Sequence, residues 1–178
     1  MGTFSVTLHE LGNLDQPAFV KALGWVFEHS PWVAEEAWRM RPFDNVEALL
    51  AAMTSVVRQA GRDRQLALIR AHPDLGTRAR ISDASAGEQA GAGLDQLTEE
   101  EFHRLREWNA AYTERFGFPF ILAVKGASKH DILRALEQRL GEDPESEFQT
   151  ALMQIERIAW FRLQPSRDRK GAIIREDY

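Results

Sequence analysis

Three residues in two nearby segments of this chain are well suited to proton transfer. His72 lies in the segment 71–75, and Glu88 and Gln89 lie in the segment 85–91. An imidazole titrates near neutrality, so beside a carboxylate and an amide it can take up and release a proton during a reaction. Because the chain contains no cysteine, thiolate nucleophiles and thiolate metal sites are excluded. These residues therefore indicate acid–base chemistry.

His72 is predicted at the C-terminal end of a short helix. The sequence pattern predicts this helix over residues 63–71, and Pro73 disfavours the right-handed helical conformation for the residue before it. Carbonyl groups exposed at a helix end favour a protonated imidazole. The alternative is that His72 only satisfies the last carbonyl groups of the helix, as polar side chains commonly do.

Ser85 and Glu88 have the Ser-x-x-Glu spacing of a capping box. In that interpretation the Ser85 side chain begins a helix, and the Glu88 side chain bonds back to a backbone N–H. Both residues would then be structural, without a role in a reaction.

A metal site is not predicted. The candidate ligands His72, Asp74, His103 and His130 lack the two-ligand helical spacing of a zinc site. A metal-dependent hydrolase that uses His72, Asp74 and Glu88 stays open as an alternative.

Arg162 is predicted to face inward from the last helix. At about 100° per residue, one apolar stripe of this helix is formed by Phe148, Leu152, Ile155 and Ala159. Arg162 lies at the edge of that stripe. Because a guanidinium is almost never buried without a partner, Arg162 should meet an internal carboxylate or a bound anion.

Helical periodicity covers most of the chain, and strand alternation is nearly absent. We therefore predict an all-α, single-domain bundle of about seven to eight helices over residues 1–165, followed by a charged tail over residues 166–178. Capping residues and helix-ending glycines mark long helices over 98–116, 128–140 and 144–163. The apolar segment 118–124 breaks the helical pattern and is expected to be extended or irregular, and buried.

Charge and hydropathy limit the classes of partner. The chain has 22 basic and 27 acidic residues, a net charge of -5, and no long run of either sign. This distribution argues against a protein that binds nucleic acid or an anionic membrane. No apolar run approaches the roughly 20 residues of a membrane span, and the first residues lack a signal-peptide pattern. Together with the absence of cysteine, this predicts a soluble, cytoplasmic protein.

A series of short motifs runs along the chain from about Leu14 to Leu163. It comprises Glu28-His29-Ser30-Pro31-Trp32, Arg41-Pro42-Phe43, Ala71-His72-Pro73-Asp74-Leu75, Glu88-Gln89-Ala90-Gly91-Ala92-Gly93-Leu94, Asn109-Ala110-Ala111-Tyr112, Phe116-Gly117-Phe118-Pro119-Phe120 and Arg162-Leu163. In this order the motifs resemble the 2-oxo-4-hydroxy-4-carboxy-5-ureidoimidazoline (OHCU) decarboxylases, which complete the conversion of urate to (S)-allantoin. The loop between Leu75 and Ser85 is a few residues shorter than the form expected in that family.

The resemblance implies an all-helical enzyme without metal or other cofactor, commonly a homodimer, whose partner is a small ureidoimidazoline rather than nucleic acid or membrane. It puts His72 at the position of the catalytic histidine, and we expect Glu88 to orient its imidazole. The implied substrate contacts are Pro73, Ser85, Ala86, Gly87, Gln89, Phe120, Ile121, Leu122, Ala123, Val124 and Arg162. A non-catalytic binding module on the same scaffold is the alternative.

Overall fold

The computed structural model describes residues 5–77, 82–164 and 173–175. Within these residues there are nine α-helices and two short strands. In chain order they are β1 (Ser5–Thr7), α1 (Leu8–Asn13), α2 (Gln16–Leu23), α3 (Trp32–Ala37), α4 (Val46–Gln59), α5 (Arg62–Arg70), α6 (Asp83–Gly91), α7 (Glu99–Phe116), α8 (Lys129–Arg139), α9 (Pro144–Leu163) and β2 (Ile173–Arg175). The all-α prediction is confirmed. Every helix in the described part of the chain is too short or too polar to span a bilayer.

Helix α1 accounts for the difference from the predicted seven to eight helices. The Thr7 hydroxyl accepts from the Glu10 N–H at 3.1 Å, and the Glu10 carboxylate accepts from the Thr7 N–H at 2.7 Å. This reciprocal capping box begins a helix of six residues, which is too short to show a helical repeat in the sequence.

One compact unit comprises residues 1–68 and 156–178. Its buried residues include Phe19 and Leu23 of α2, Val33 of α3, and Leu49 and Met53 of α4. Strands β1 and β2 pair in parallel, which the sequence pattern did not predict because each strand has only three residues. The rest of the predicted tail lies outside the described residues, so the domain boundary stays a prediction.

The second compact unit comprises residues 69–155. Its aromatic cluster has ring centroids 4.4–6.1 Å apart and consists of Tyr112, Phe116, Phe118, Phe120 and Phe148. Helix α7 ends at Gly117, whose φ of 78° is readily adopted only by glycine. The segment after it has no regular secondary structure up to Val124 and is largely buried, as predicted.

Candidate active site

His72 lies two residues beyond the end of helix α5, and 8% of its surface is exposed. Its backbone N–H donates to the Ile69 carbonyl at 3.2 Å, which closes the last turn of the helix. The predicted position of His72 at a helix end is therefore confirmed. Pro73 is half-buried, and Asp74 is exposed.

The loop that carries His72 is bound to helices α6 and α7. The Gly76 N–H donates to the Gln89 side-chain oxygen at 2.8 Å, and the Asn109 amide donates to the Leu75 carbonyl at 2.9 Å. Both side chains are buried. These two bonds fix the backbone a few residues after the imidazole and bring the His72 loop next to the helix that carries Ser85, Glu88 and Gln89.

Gly76 is required at the turn of this loop for two reasons. Its φ is 71°, a left-handed conformation that side chains rarely adopt, and a Cβ atom there would clash with Cδ2 of Leu105. The close approach to helix α7 therefore depends on the absence of a side chain at this position.

Helix α6 begins before the predicted capping pair. Its N-cap is Ser82, whose hydroxyl accepts from the Ser85 N–H at 3.2 Å. Ser85 therefore lies inside the helix, and Glu88 is a further turn from its start. The capping-box interpretation of Ser85 and Glu88 is wrong, because another serine three residues earlier takes the N-cap position. Residues 78–81, in the loop that we expect to be shorter than in the family, lie outside the described residues.

The side chains of helix α6 divide into a buried and an exposed set. Ser85 and Gln89 are four residues apart, on one face of the helix, and are 5% and 7% exposed. Glu88 is half-buried, whereas Ala86 and Gly87 are exposed. The buried face of α6 therefore presents a hydroxyl and an amide, with a carboxylate at its edge.

Three side chains bind backbone groups of the irregular segment 117–124. The Arg70 guanidinium donates to the Gly117 carbonyl at 3.0 Å, and the Arg139 guanidinium donates to the Ile121 carbonyl at 2.6 Å. The Ala123 N–H donates to the Gln154 side-chain oxygen at 3.0 Å. Buried backbone without secondary structure needs such partners. Of the predicted contact residues, Phe120, Ile121 and Val124 are buried, and Leu122 and Ala123 are half-buried.

Two acidic groups of this unit have raised pKa values. The protein around the Asp74 carboxyl displaces part of its hydration and raises its pKa, although the residue as a whole is exposed. Burial, and then the hydrogen bond to Glu147, raises the pKa of the Tyr112 hydroxyl. The Tyr112 hydroxyl is therefore a permanent hydrogen-bond donor at neutral pH.

Arg162 belongs to the other compact unit and is 2% exposed. One guanidinium nitrogen lies 2.8 Å from a carboxylate oxygen of Glu28, which is equally buried. The other nitrogen donates to the carbonyls of Trp25 and Val26 at 3.3 and 3.4 Å. The prediction that Arg162 faces inward and meets an internal carboxylate is confirmed.

The sequence reasoning missed several polar residues that support these groups. It left the carboxylate partner of Arg162 unidentified, and it did not foresee the roles of Asn109, Arg139 and Glu147. Helical phase provides a signal for Arg139, which follows the buried Ile132 and Leu136 at helical spacing. The roles of the site residues toward a substrate, and the convergence of Arg162 with His72 and Glu88, stay predictions.

Comparison with known proteins identifies relatives over most of the chain. The OHCU decarboxylase family pattern matches residues 12–164. An OHCU decarboxylase of Haloferax volcanii is 46% identical over 158 residues, which are 89% of this chain and 94% of that protein. A uric acid degradation bifunctional protein of Bacillus subtilis is 46% identical over 165 residues, 93% of this chain and 33% of that protein.

A solved structure has the same fold. The crystal structure of (S)-allantoin synthase superposes with a TM-score of 0.73 at 36% identity, over 88% of this chain and 52% of that chain. The family match and the sequence identity to a relative of similar length agree with this structural similarity. The chain therefore belongs to the OHCU decarboxylase family and is a carboxy-lyase.

Proposed function

We propose that this protein converts OHCU to (S)-allantoin and carbon dioxide, with His72 as the general acid or base. The observation that carries the proposal is the buried imidazole at the end of α5, in a loop that Gln89 and Asn109 hold at its backbone. The names of the relatives support OHCU as the substrate. The fixed loop supports the assignment of His72 as the proton-transfer group.

The substrate itself provides the place for the electrons that decarboxylation releases. The carbon that bears the carboxylate also bears a hydroxyl group and adjoins a ring C=N bond. When the bond to the carboxylate carbon breaks, its electron pair flows toward this imine, and an enol-like intermediate forms. The protein then has to orient the substrate, accept the hydroxyl proton and deliver a proton to one face of the intermediate.

His72 suits both proton transfers because an imidazole accepts and donates a proton near neutral pH. We expect Glu88, at the edge of the buried face of α6, to orient this imidazole or stabilise its charged form. The carbonyl groups at the end of α5 also stabilise the charged form of the imidazole. A fixed imidazole would protonate one face only and would give one enantiomer.

The remaining predicted contacts bind the substrate in this proposal. The Gln89 oxygen accepts from Gly76, so its amide N–H groups are the ones directed to a carbonyl or ring atom of the substrate. Ser85, Pro73 and the backbone of residues 120–124 hydrogen-bond or enclose the ring and ureido groups. Arg162 binds an anionic or carbonyl oxygen, which is the leaving carboxylate or a ring oxygen.

The proposal includes cofactor-free catalysis by a cytoplasmic homodimer. The imine of the substrate supports catalysis without a cofactor, because it takes the role that a cofactor has in other decarboxylations. The absence of cysteine is compatible with a reducing compartment. The homodimer follows from the resemblance to the family, and sedimentation measurements of the purified protein test it.

A direct assay tests the proposed function. OHCU is generated in the cuvette from urate by urate oxidase and the hydrolase that follows it, and its loss is recorded with and without this protein. We expect faster loss of OHCU, release of carbon dioxide and formation of a single enantiomer of allantoin by circular dichroism. Racemic allantoin at the uncatalysed rate would point to a binding module, and activity abolished by a chelator would point to metal chemistry.

Glu88→Gln tests the orienting carboxylate. We expect kcat to fall about tenfold or more while the melting temperature stays unchanged, because the amide keeps the size of the side chain but removes the charge that supports the imidazolium. Steady-state kinetics and thermal unfolding measure the two effects. Glu107→Gln, at an exposed position of α7, is the matched control and should change neither. A lower melting temperature with unchanged turnover would contradict the proposed role of Glu88.

A further inference from the structure

A buried charged network lies between the second half of helix α8 and the start of α9. The Arg139 guanidinium is 2.9 Å from the Glu147 carboxylate, and the two residues are 9% and 1% exposed. The same carboxylate accepts a hydrogen bond from the Tyr112 hydroxyl on α7. The guanidinium also stacks over the Phe120 ring, 4.4 Å from its centroid.

Stability alone does not account for this network. Removing two charges from water costs free energy that their attraction often fails to recover, so an apolar pair of similar size is commonly as stable. The distinctive feature of this pair is the hydrogen bond that Arg139 makes outside it. Nη1 of Arg139 donates to the Ile121 carbonyl at 2.6 Å, inside the segment that is predicted to contact the substrate.

A second side chain binds the segment 117–124 two residues after Ile121. The Ala123 N–H donates to the Gln154 side-chain oxygen of α9 at 3.0 Å. Leu122 lies between these two fixed peptide groups and is half-buried, and its own backbone groups have no partner among the residues that the structure describes. The two anchors therefore fix the peptide planes on both sides of Leu122.

We propose that Arg139, held by Glu147 and Tyr112, is a positioning residue that directs the backbone groups of Leu122 toward the substrate. This inference rests on the proposed function, because it concerns how the same site holds the ureidoimidazoline. The buried ion pair serves as a rigid support, and its planar guanidinium reaches the carboxylate and the Ile121 carbonyl at once. A lysine has a single charged nitrogen and cannot bind both in this geometry.

The test uses a variant that removes both charges together. In Arg139→Met/Glu147→Gln no buried charge is left unpaired, and the new amide still accepts from Tyr112, so we expect the fold to persist. We expect KM to rise about tenfold, the value of one hydrogen bond to the substrate, with a smaller change in kcat. Amide hydrogen exchange of residues 120–124 should become faster. Arg139→Lys, which keeps the charge opposite Glu147, should change KM and exchange in the same direction.

The matched control is Arg58→Met/Glu156→Gln. This pair is 2.6 Å apart, more exposed, and lies in the other compact unit. It should leave KM and the exchange of residues 120–124 unchanged. If the Arg139 variants match this control in KM, or if segment exchange stays at the wild-type rate in either of them, the positioning role is wrong. If the wild-type protein does not decarboxylate OHCU, the proposed function is wrong instead. Amide hydrogen exchange of residues 120–124 would still show whether the Arg139–Glu147 pair fixes this segment.

Discussion

Replacing His72 by alanine is expected to lower kcat for OHCU decarboxylation by about 10²- to 10⁴-fold, the usual contribution of a general acid or base. The proposed mechanism assigns the proton transfer to this buried imidazole, and alanine has no group that can take up or donate a proton. Any allantoin formed should lose its single handedness, because protonation of the released intermediate occurs from solvent on either face. Initial rates and circular dichroism of the product measure the two effects.

Two further variants separate chemistry from folding in this experiment. His72→Gln keeps a polar side chain of similar length and should lose activity to a similar degree without a large change in melting temperature. His103→Ala removes an exposed histidine from helix α7 and should behave as wild type. A near-normal rate with unchanged handedness in either His72 variant would remove this residue from the mechanism.

Arg162→Ala is expected to reduce the free energy of unfolding by about 3–5 kcal/mol. The substitution leaves the Glu28 carboxylate buried without the guanidinium that lies 2.8 Å from it, and it leaves the carbonyls of Trp25 and Val26 without that donor. Urea unfolding followed by tryptophan fluorescence measures the loss. Arg64→Ala is the control, because Arg64 and Glu36 are also 2.8 Å apart but their side chains are 45% and 42% exposed. An ion pair with this exposure contributes less than about 1 kcal/mol.

A double substitution distinguishes a structural from a substrate-binding role of Arg162. In Arg162→Met/Glu28→Met both charges are replaced by apolar groups, and most of the lost stability should return. Activity should stay low if the guanidinium also binds a substrate oxygen. Recovery of activity together with stability would show that Arg162 supports only the fold, and normal substrate binding by Arg162→Lys would point the same way.

The helix ends and the inward-facing arginine were predictable from local patterns. Pro73 limits the helix before His72, Gly117 ends α7, and the apolar stripe of α9 assigns Arg162 to the interior. Each of these inferences needs only steric rules or helical phase over neighbouring residues. For the same reason the irregular course of residues 118–124 was recognisable as a break in the helical pattern.

The partners of these residues were not predictable in the same way. Glu28 and Arg162 are 134 positions apart, and Glu28 follows the end of α2, where helical phase no longer applies. The capping box at Ser85 failed because Ser82 is an equally good cap and the pattern does not rank the two. The contacts of Asn109 with Leu75 and of Arg139 with Ile121 join residues far apart in the chain. They depend on tertiary packing, which local sequence patterns do not reveal.

Helix α7 offers a way to follow the candidate site in solution. Its buried face carries Asn109, bonded to the His72 loop, and Tyr112, bonded to Glu147, whereas Ala110 is exposed. Because the chain has no cysteine, Ala110→Cys would create a single thiol for a fluorescent label. Such a label would report local opening of helix α7, which is bonded to both the His72 loop and Glu147. No other thiol would add a background signal.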